Sequence, residues 1–532
     1  MRTGASDAAH AAKLDRRGAI AFGLALPALL GNAGAGAALD VRGHGAKGDG
    51  KTLDHNAINR AIADTARGGG GTVLLPAGRY LCFSIRLMSN VTLMLGPGAI
   101  IEAANPALHG GAYDLPEPTE HDVYQDFGHS HWRNSLIWGD GLENVAILGP
   151  GMIVGTGLTR DGPGPKWLEA GSHPASMRGM TSADMDRLEP ARAAMDGRGN
   201  KAIALRNCRH VTLEGFSILK GGHFAILATG IDNLTIGNVR IDTDRDGIDV
   251  DCCRNVRIAG CAVNSPNDDA IVLKSSLALG YPRATENVTV ADCIVSGFDL
   301  GTMLDGSHGR TQDLAPDRDR VTGRIKIGTE SNGGFRNVAI SNCIFDRCRG
   351  LALETVDGGA LEDVVITNIV MRDVTTAPLF LRIGARLRGP APLGPGALRR
   401  VSISNLTASG IDPRYAASIV GLRERPVEDV SLANIRLDYA GGGTADQAAR
   451  AVPEARDGYP EPSMFGVLPV HGLYVRDARN LRIDGLEITT ATPDERPAIL
   501  VERAEAVRFT RLSARGAPVV RDGRDVTTED AR

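Results

Sequence analysis

Asn233-Leu234-Thr235-Ile236 and, 22 residues later, Asn255-Val256-Arg257-Ile258 decide the fold. Each is a polar residue followed by alternating apolar positions, the period-two pattern of a strand rather than a helix. Toward the N-terminus the phrase recurs at Asn90, Asn144 and His210. Toward the C-terminus it recurs at Asn287, Asn337, Asp363, Arg400, Asp429, Asn480 and Ala506. The tightest intervals are 22, 23 and 26 residues, and a repeat of that length is one unit of a solenoid. A single unit leaves an apolar face open, so successive units must stack, with strands about 4.8 Å apart. The expected fold is all-β: a single-domain, right-handed parallel β-helix of roughly ten or more coils.

Composition agrees. Sixty-six glycines in 532 residues, with aromatics at 4%, suit a narrow core of Val, Ile, Leu and Ala with glycine-rich corners. Asp54 to Arg67 reads as a helix with Ala57, Ile58, Ala61 and Ile62 on one face, placed to cap the N-terminal end of the core. Eight cysteines are too few for a disulfide scaffold in so long a chain. Cys208, Cys293 and Cys343 sit at matching places in the repeat and read as small core residues. A net charge of −4 with both signs mixed argues against nucleic acid or anionic membrane as partner.

Residues 1–37 read as an export signal. Arg16-Arg17 precede an apolar stretch from Ala19 to Leu30 and a small-residue pattern, Ala35-Gly36-Ala37, in the manner of a twin-arginine or ordinary secretory signal. The β-helix would then occupy 38–532, and the protein would be periplasmic or extracellular, without stable membrane insertion.

Two acidic stretches carry the chemistry: Thr243-Asp244-Arg245-Asp246-Gly247-Ile248-Asp249 and Asn267-Asp268-Asp269-Ala270-Ile271. Asp246 and Asp268 are 22 residues apart, one local repeat, which stacks the carboxylates on one face. Hydrolysis of a glycosidic bond needs a carboxylic acid for the leaving oxygen and a carboxylate for water or carbon. Clustered carboxylates raise one another's proton affinity, so one can stay protonated. Asp244 and Asp249 read equally well as turn or cation-binding residues, whereas no turn requires the adjacent pair Asp268-Asp269.

With these residues the chain resembles glycoside hydrolase family 28, the polygalacturonase family, from Asp40 to about Ser513. Val41 to Gly50 and Leu75 to Tyr80 are similar to the capping segment of pectin-active β-helices, and Gly149-Pro150-Gly151 to that family's first coils. The family's Asn-Thr-Asp-Gly-x-Asp motif matches Asp244 to Asp249, with Asp244 and Arg245 replacing Asn and Thr, and its Asp-Asp motif matches Asp268-Asp269 unchanged. The resemblance implies an inverting hydrolase of pectic polysaccharide in which Asp268 is the general acid and Asp246 and Asp269 activate water. Acid and base would stand about 6.5–9.5 Å apart.

The family's later motifs, Gly-His-Gly and then Arg-Ile-Lys a coil on, are altered. Ser307-His308-Gly309 and Arg324-Ile325-Lys326 are only 16 residues apart, less than one coil. The favoured register places Arg324 at the family histidine and Ala352 and Glu354 at the basic pair. The other register takes Arg324 and Lys326 as the carboxylate-binding pair. Either way the substrate is expected to differ from that of a plain endo-polygalacturonase: a rhamnogalacturonan, a substituted galacturonan or a chain end. Candidate substrate contacts are Arg324, Lys326, Glu354, His223, His308 and Lys274. The insertions Pro106 to Arg133 and Pro163 to Lys201 offer Trp132 and Trp167, and the strand beyond the first offers Trp138, as stacking platforms. Any of the three tryptophans reads equally well as packing, and His223 and Lys274 have structural readings too.

No metal or cofactor is expected, and the chain is expected to act as a monomer on pectic poly- or oligosaccharide. A calcium-dependent pectic lyase and a non-catalytic carbohydrate-binding β-helix are the alternatives. The first would leave unsaturated products, and the second would be indifferent to Asp268→Asn.

Overall fold

All twelve residues that lead the repeated phrase, from Asn90 to Ala506, have φ between 54° and 63°. Each coil thus turns through one left-handed residue, the conformation that Asn and Asp tolerate best. The side chains there also bond from coil to coil: Asn255 Nδ2 donates to Asn233 Oδ1 at 3.0 Å, Asn287 to Asn255 at 3.0 Å and Asn337 to Asn287 at 3.0 Å.

The computed structural model describes residues 38–119, 124–160, 162, 192–390 and 393–531. It is a right-handed parallel β-helix of two sheets, one of 13 and one of 23 strands among the described residues. The residues from Ala38 on form one unit. The export segment 1–37 and Trp167 lie outside the described residues.

In the 13-stranded sheet each coil contributes one strand, paired with the strand of the next coil. Six of its strands matter for the site: β1 (Phe224–Thr229), β2 (Asp246–Asp251), β3 (Ile271–Ser275), β4 (Ile325–Ser331), β5 (Leu351–Thr355) and β6 (Leu379–Ile383). Alternation splits their side chains. Ile248, Ile271, Ile325, Leu351 and Leu379 join the core, which turns Asp249, Lys274, Lys326 and Glu354 to the outer face.

Helix α1 (His55–Arg67) buries Ala57, Ile58, Ala61 and Ile62, all four within the main core, and so closes the N-terminal end as the sequence predicts. The eight cysteines are buried and unpaired, in agreement with their reading as core residues.

The outer face is covered at both ends of this strand series. Ahead of the aspartates, Trp132 packs with Ala204, Phe224, Leu227 and Ala278. Beyond them, Phe465, Leu468 and Val470 pack over Ala352, Phe380, Ala416 and Tyr474. Between the two, Asp246 on β2, Lys274 on β3 and Lys326 on β4 line a pocket.

Candidate active site

Strands β2 and β3 pair with Ile248 opposite Ile271, an offset of 23 residues. That register sets Asp269, not Asp268, across from Asp246: Gly247 N donates to Asp269 O, and Asp269 N donates to Asp246 Oδ1 at 3.2 Å. The sequence reading had stacked Asp268 on Asp246. Asp268 instead stands one residue before the strand, and its side chain still converges with the other two. One oxygen from each of Asp246, Asp268 and Asp269 lies within 4.8 Å of the others, closer than the expected 6.5–9.5 Å. A gap of that size is spanned by one water hydrogen-bonded to two carboxylates, at about 2.7–2.8 Å to each.

The three line a pocket of about 310 Å³ with Lys274, Lys326, Glu330, Arg386 and Tyr459. Its walls come from distant parts of the chain. Tyr124 to Asp126 and His129 belong to the insertion Pro106 to Arg133, Arg386 and Arg388 to the loop after β6, and Tyr459 to the segment that carries Phe465.

Proton affinities are split across the cluster. Burial, and then the charge of Asp268, raise Asp246 well above the ordinary carboxylate range. Burial works in the same direction on Asp268, but the Arg245 guanidinium, together with a hydrogen bond from Asp246 and the charges of Lys274 and Lys326, holds that carboxyl low. Arg245 Nε and Nη2 donate to Asp268 Oδ2 at 3.1 and 3.0 Å. Arg245 is the residue that replaces the family threonine, and it gives Asp268 the lower proton affinity of the pair.

Lys274 sits at the centre of the outer face. Its Nζ lies 3.0 Å from Asp246 Oδ2, 2.7 Å from Asp249 Oδ2 and 2.6 Å from His129 Nε2. Lys326 Nζ lies 3.4 Å from Asp269 Oδ2 and 3.5 Å from Glu354 Oε2. Both lysines line the pocket.

The other predicted contacts are placed differently. Arg324 is 1% exposed. Its Nε donates to Asp269 Oδ1 at 2.8 Å, Nη1 donates to Glu461 Oε2 at 3.0 Å, and Nη2 is bonded to Glu461 Oε1, so its charge is already neutralised. Glu354 is fully buried beneath Lys326, and burial raises it to about 7 against the pull of Lys326. His223 is also buried. Its Nδ1 lies 2.7 Å from Arg160 O and 3.1 Å from Arg245 Nη1, which places it behind the pocket. His308 is exposed on the insertion between β3 and β4, stacked on Phe298 with ring centres 4.8 Å apart, away from the pocket lining. Trp132 is wholly buried, with Arg206 over its ring at 4.5 Å, so it is packing rather than an open platform. Trp138 is half-buried and donates from Nε1 to Asp114 at 2.8 Å.

The register of the basic motif is also resolved. Strand β4 pairs directly with β3, Val272 opposite Lys326, and then with β5, Lys326 opposite Ala352. Arg324-Ile325-Lys326 therefore lies on the coil immediately after Asp268-Asp269, and Ala352 and Glu354 on the next, as in the favoured alignment.

Sequence reasoning missed Glu330, Arg386, Arg388, Tyr459 and Glu461. Glu330 had a signal, since alternation from Lys326 puts it on the same face. The others lie in irregular segments outside the repeat, where spacing says nothing.

The fold places the chain among the right-handed parallel β-helices. Residues 38–116 match the family model described as rhamnogalacturonase A/epimerase, pectate lyase-like. A probable polygalacturonase of Vitis vinifera is 24% identical over 330 residues, 59% of this chain and 60% of that protein. An exo-poly-alpha-D-galacturonosidase of Dickeya chrysanthemi is 24% identical over 366 residues, 65% and 57%. A crystal structure of a hyperthermoactive exopolygalacturonase from Thermotoga maritima superposes with a TM-score of 0.57 at 21% identity, over 84% of this chain and 91% of that one. These comparisons make the chain similar to polygalacturonases in sequence and to an exopolygalacturonase in fold. It spans about 60% of the length of these two relatives.

Among the described residues no helix is long and apolar enough to cross a membrane.

Proposed function

We propose that the protein is an inverting glycoside hydrolase that cuts α-galacturonosyl linkages of pectic polysaccharide, working from a chain end. The observation that carries this reading is the convergence of Asp246, Asp268 and Asp269 within 4.8 Å in a pocket with three or more cations around it. Asp246 and Asp268 share one proton. The carboxyl of that pair bearing it protonates the leaving oxygen, while the remaining carboxylate and Asp269 orient and deprotonate the attacking water. Lys274 and Arg245 compensate the negative charge, so the cluster stays assembled through the proton transfers.

Chain-end action is supported by the packing on both sides of the pocket among the described residues, Trp132 ahead and Phe465 beyond. The exo-acting names of the Dickeya and Thermotoga relatives agree with it. We also propose that residues 1–37 direct export and that 38–532 act as a monomer outside the cytoplasm.

The test is product analysis by chromatography and ultraviolet absorbance after incubation with polygalacturonate and with rhamnogalacturonan, for the wild type and Asp268→Asn. Saturated monomer or dimer released from polygalacturonate by the wild type alone supports the reading, with the anomeric proton of the first product showing inversion. Unsaturated products would overturn hydrolysis, and a ladder of long oligomers would overturn chain-end action.

A further inference from the structure

Every cation of the pocket but one has a carboxylate partner. Lys274 has Asp246 and Asp249, Lys326 has Asp269 and Glu354, and Arg245 has Asp268. Arg388 takes Glu330 at 2.7 Å and Asp357 at 2.6 Å. Arg386, two residues away on the same loop, is the exception among the described residues: its Nε and Nη1 are buried without a hydrogen-bond partner. Burial and the neighbouring Arg388 charge lower it to about 10.

Buried guanidinium N–H groups without a hydrogen-bond partner are expensive to fold around, and here they belong to a side chain lining a cavity that also holds the three aspartates. It also lies over an aromatic ring. The Arg386 guanidinium lies 5.1 Å from the ring centre of Tyr459, with the Lys326 ammonium at 5.7 Å from the same ring. Tyr459 remains 54% exposed, so the ring is a surface on which a sugar can lie. Arg324, to which only the other register of the resemblance would have given the carboxylate, is closed off by Asp269 and Glu461.

We propose that Arg386 binds the carboxylate of a uronosyl residue seated on Tyr459, so that the loop after β6, rather than the Arg-Ile-Lys strand, selects for a free acid over its methyl ester. This rests on the hydrolase reading above. The planar fork of arginine matches a carboxylate with two parallel hydrogen bonds, and an ester offers neither the charge nor the second strong acceptor.

The experiment is calorimetric titration of trigalacturonate and of its methyl ester into the full chain carrying Asp246→Asn to block turnover, with Arg386 intact, Arg386→Gln or Arg386→Lys. Arg386→Gln is expected to weaken trigalacturonate about tenfold to a hundredfold and to leave the ester unchanged, while Arg386→Lys recovers part of the loss. Melting temperature at or above that of the parent is expected for Arg386→Gln, because buried N–H groups without hydrogen-bond partners have been removed. Equal affinity of parent and Arg386→Gln for trigalacturonate, or equal losses on acid and ester, would overturn the proposal and leave the hydrolase reading standing. If the parent with Arg386 intact binds neither ligand, the galacturonan reading fails, and this one with it.

Discussion

Arg245 directs two N–H groups, Nε at 3.1 Å and Nη2 at 3.0 Å, at a single oxygen of Asp268. The family pattern has a neutral threonine there, so this chain carries a fixed positive charge against the residue that the resemblance makes the general acid. The cation stabilises every deprotonated state of the Asp246–Asp268 pair, and so lowers both of its macroscopic proton affinities. Arg245→Thr is expected to move both limbs of the pH profile of kcat/KM to higher pH. An unchanged acid limb would show that the pair does not set it.

Asp246→Asn, Asp268→Asn and Asp269→Asn should each lower kcat by about 10²–10⁴-fold, the range of a lost acid–base group. Circular dichroism should be unchanged. Activity on polygalacturonate, measured as reducing ends, checks all three.

Glu461 bonds Arg324 through both of its oxygens, and its Oε2 lies 3.1 Å from Arg349 Nη1. Removing one partner of a buried ion pair costs about 3–5 kcal/mol. Glu461→Ala, which leaves two buried arginines short of charge, should therefore lower urea stability by that order. It should also lower activity, since Arg324 holds Asp269.

Glu354 gives a pH signature in stability. Its folded value near 7 exceeds the ordinary 4.5, so folding favours the protonated form. That contribution is complete below about 4.5 and is lost as pH rises to about 7. Glu354→Gln should flatten the fall in unfolding free energy between pH 5 and pH 7.5. A slope equal to the wild type's would mean that Glu354 is ionised throughout.

Ala506 occupies the left-handed turn position, at φ 54°, without the side chain that tolerates it. Ala506→Asn should raise stability by about 0.5–1 kcal/mol, read as a higher urea midpoint.

The repeat made the fold legible because one turn residue and two alternating core positions recur in every coil. The same regularity made Asp246, Asp268, Asp269, Lys274 and Lys326 legible, since they lie on or beside strands whose outward face follows from alternation. Arg324 obeyed that rule and was still misread. Its orientation followed from the sequence, but its partner, Glu461, stands 137 residues further on in a segment with no periodic signal. Arg386 and Tyr459 were hidden for the same reason. The insertion around His308 looked like a motif because it contained a familiar triplet, yet its histidine stacks on Phe298 at the surface.

In a coil-by-coil fold, position along the chain is position along the axis, so synthesis order becomes assembly order. The three aspartates are in place once the coil of β3 has stacked, but Tyr459 and Glu461 emerge about 190 residues afterwards. Until then Arg324 has no second carboxylate, and the outer face of β5 and β6 is bare. The acid cluster is thus built early and its pocket late: a nascent or truncated chain would hold the reactive groups without the wall that shapes what reaches them.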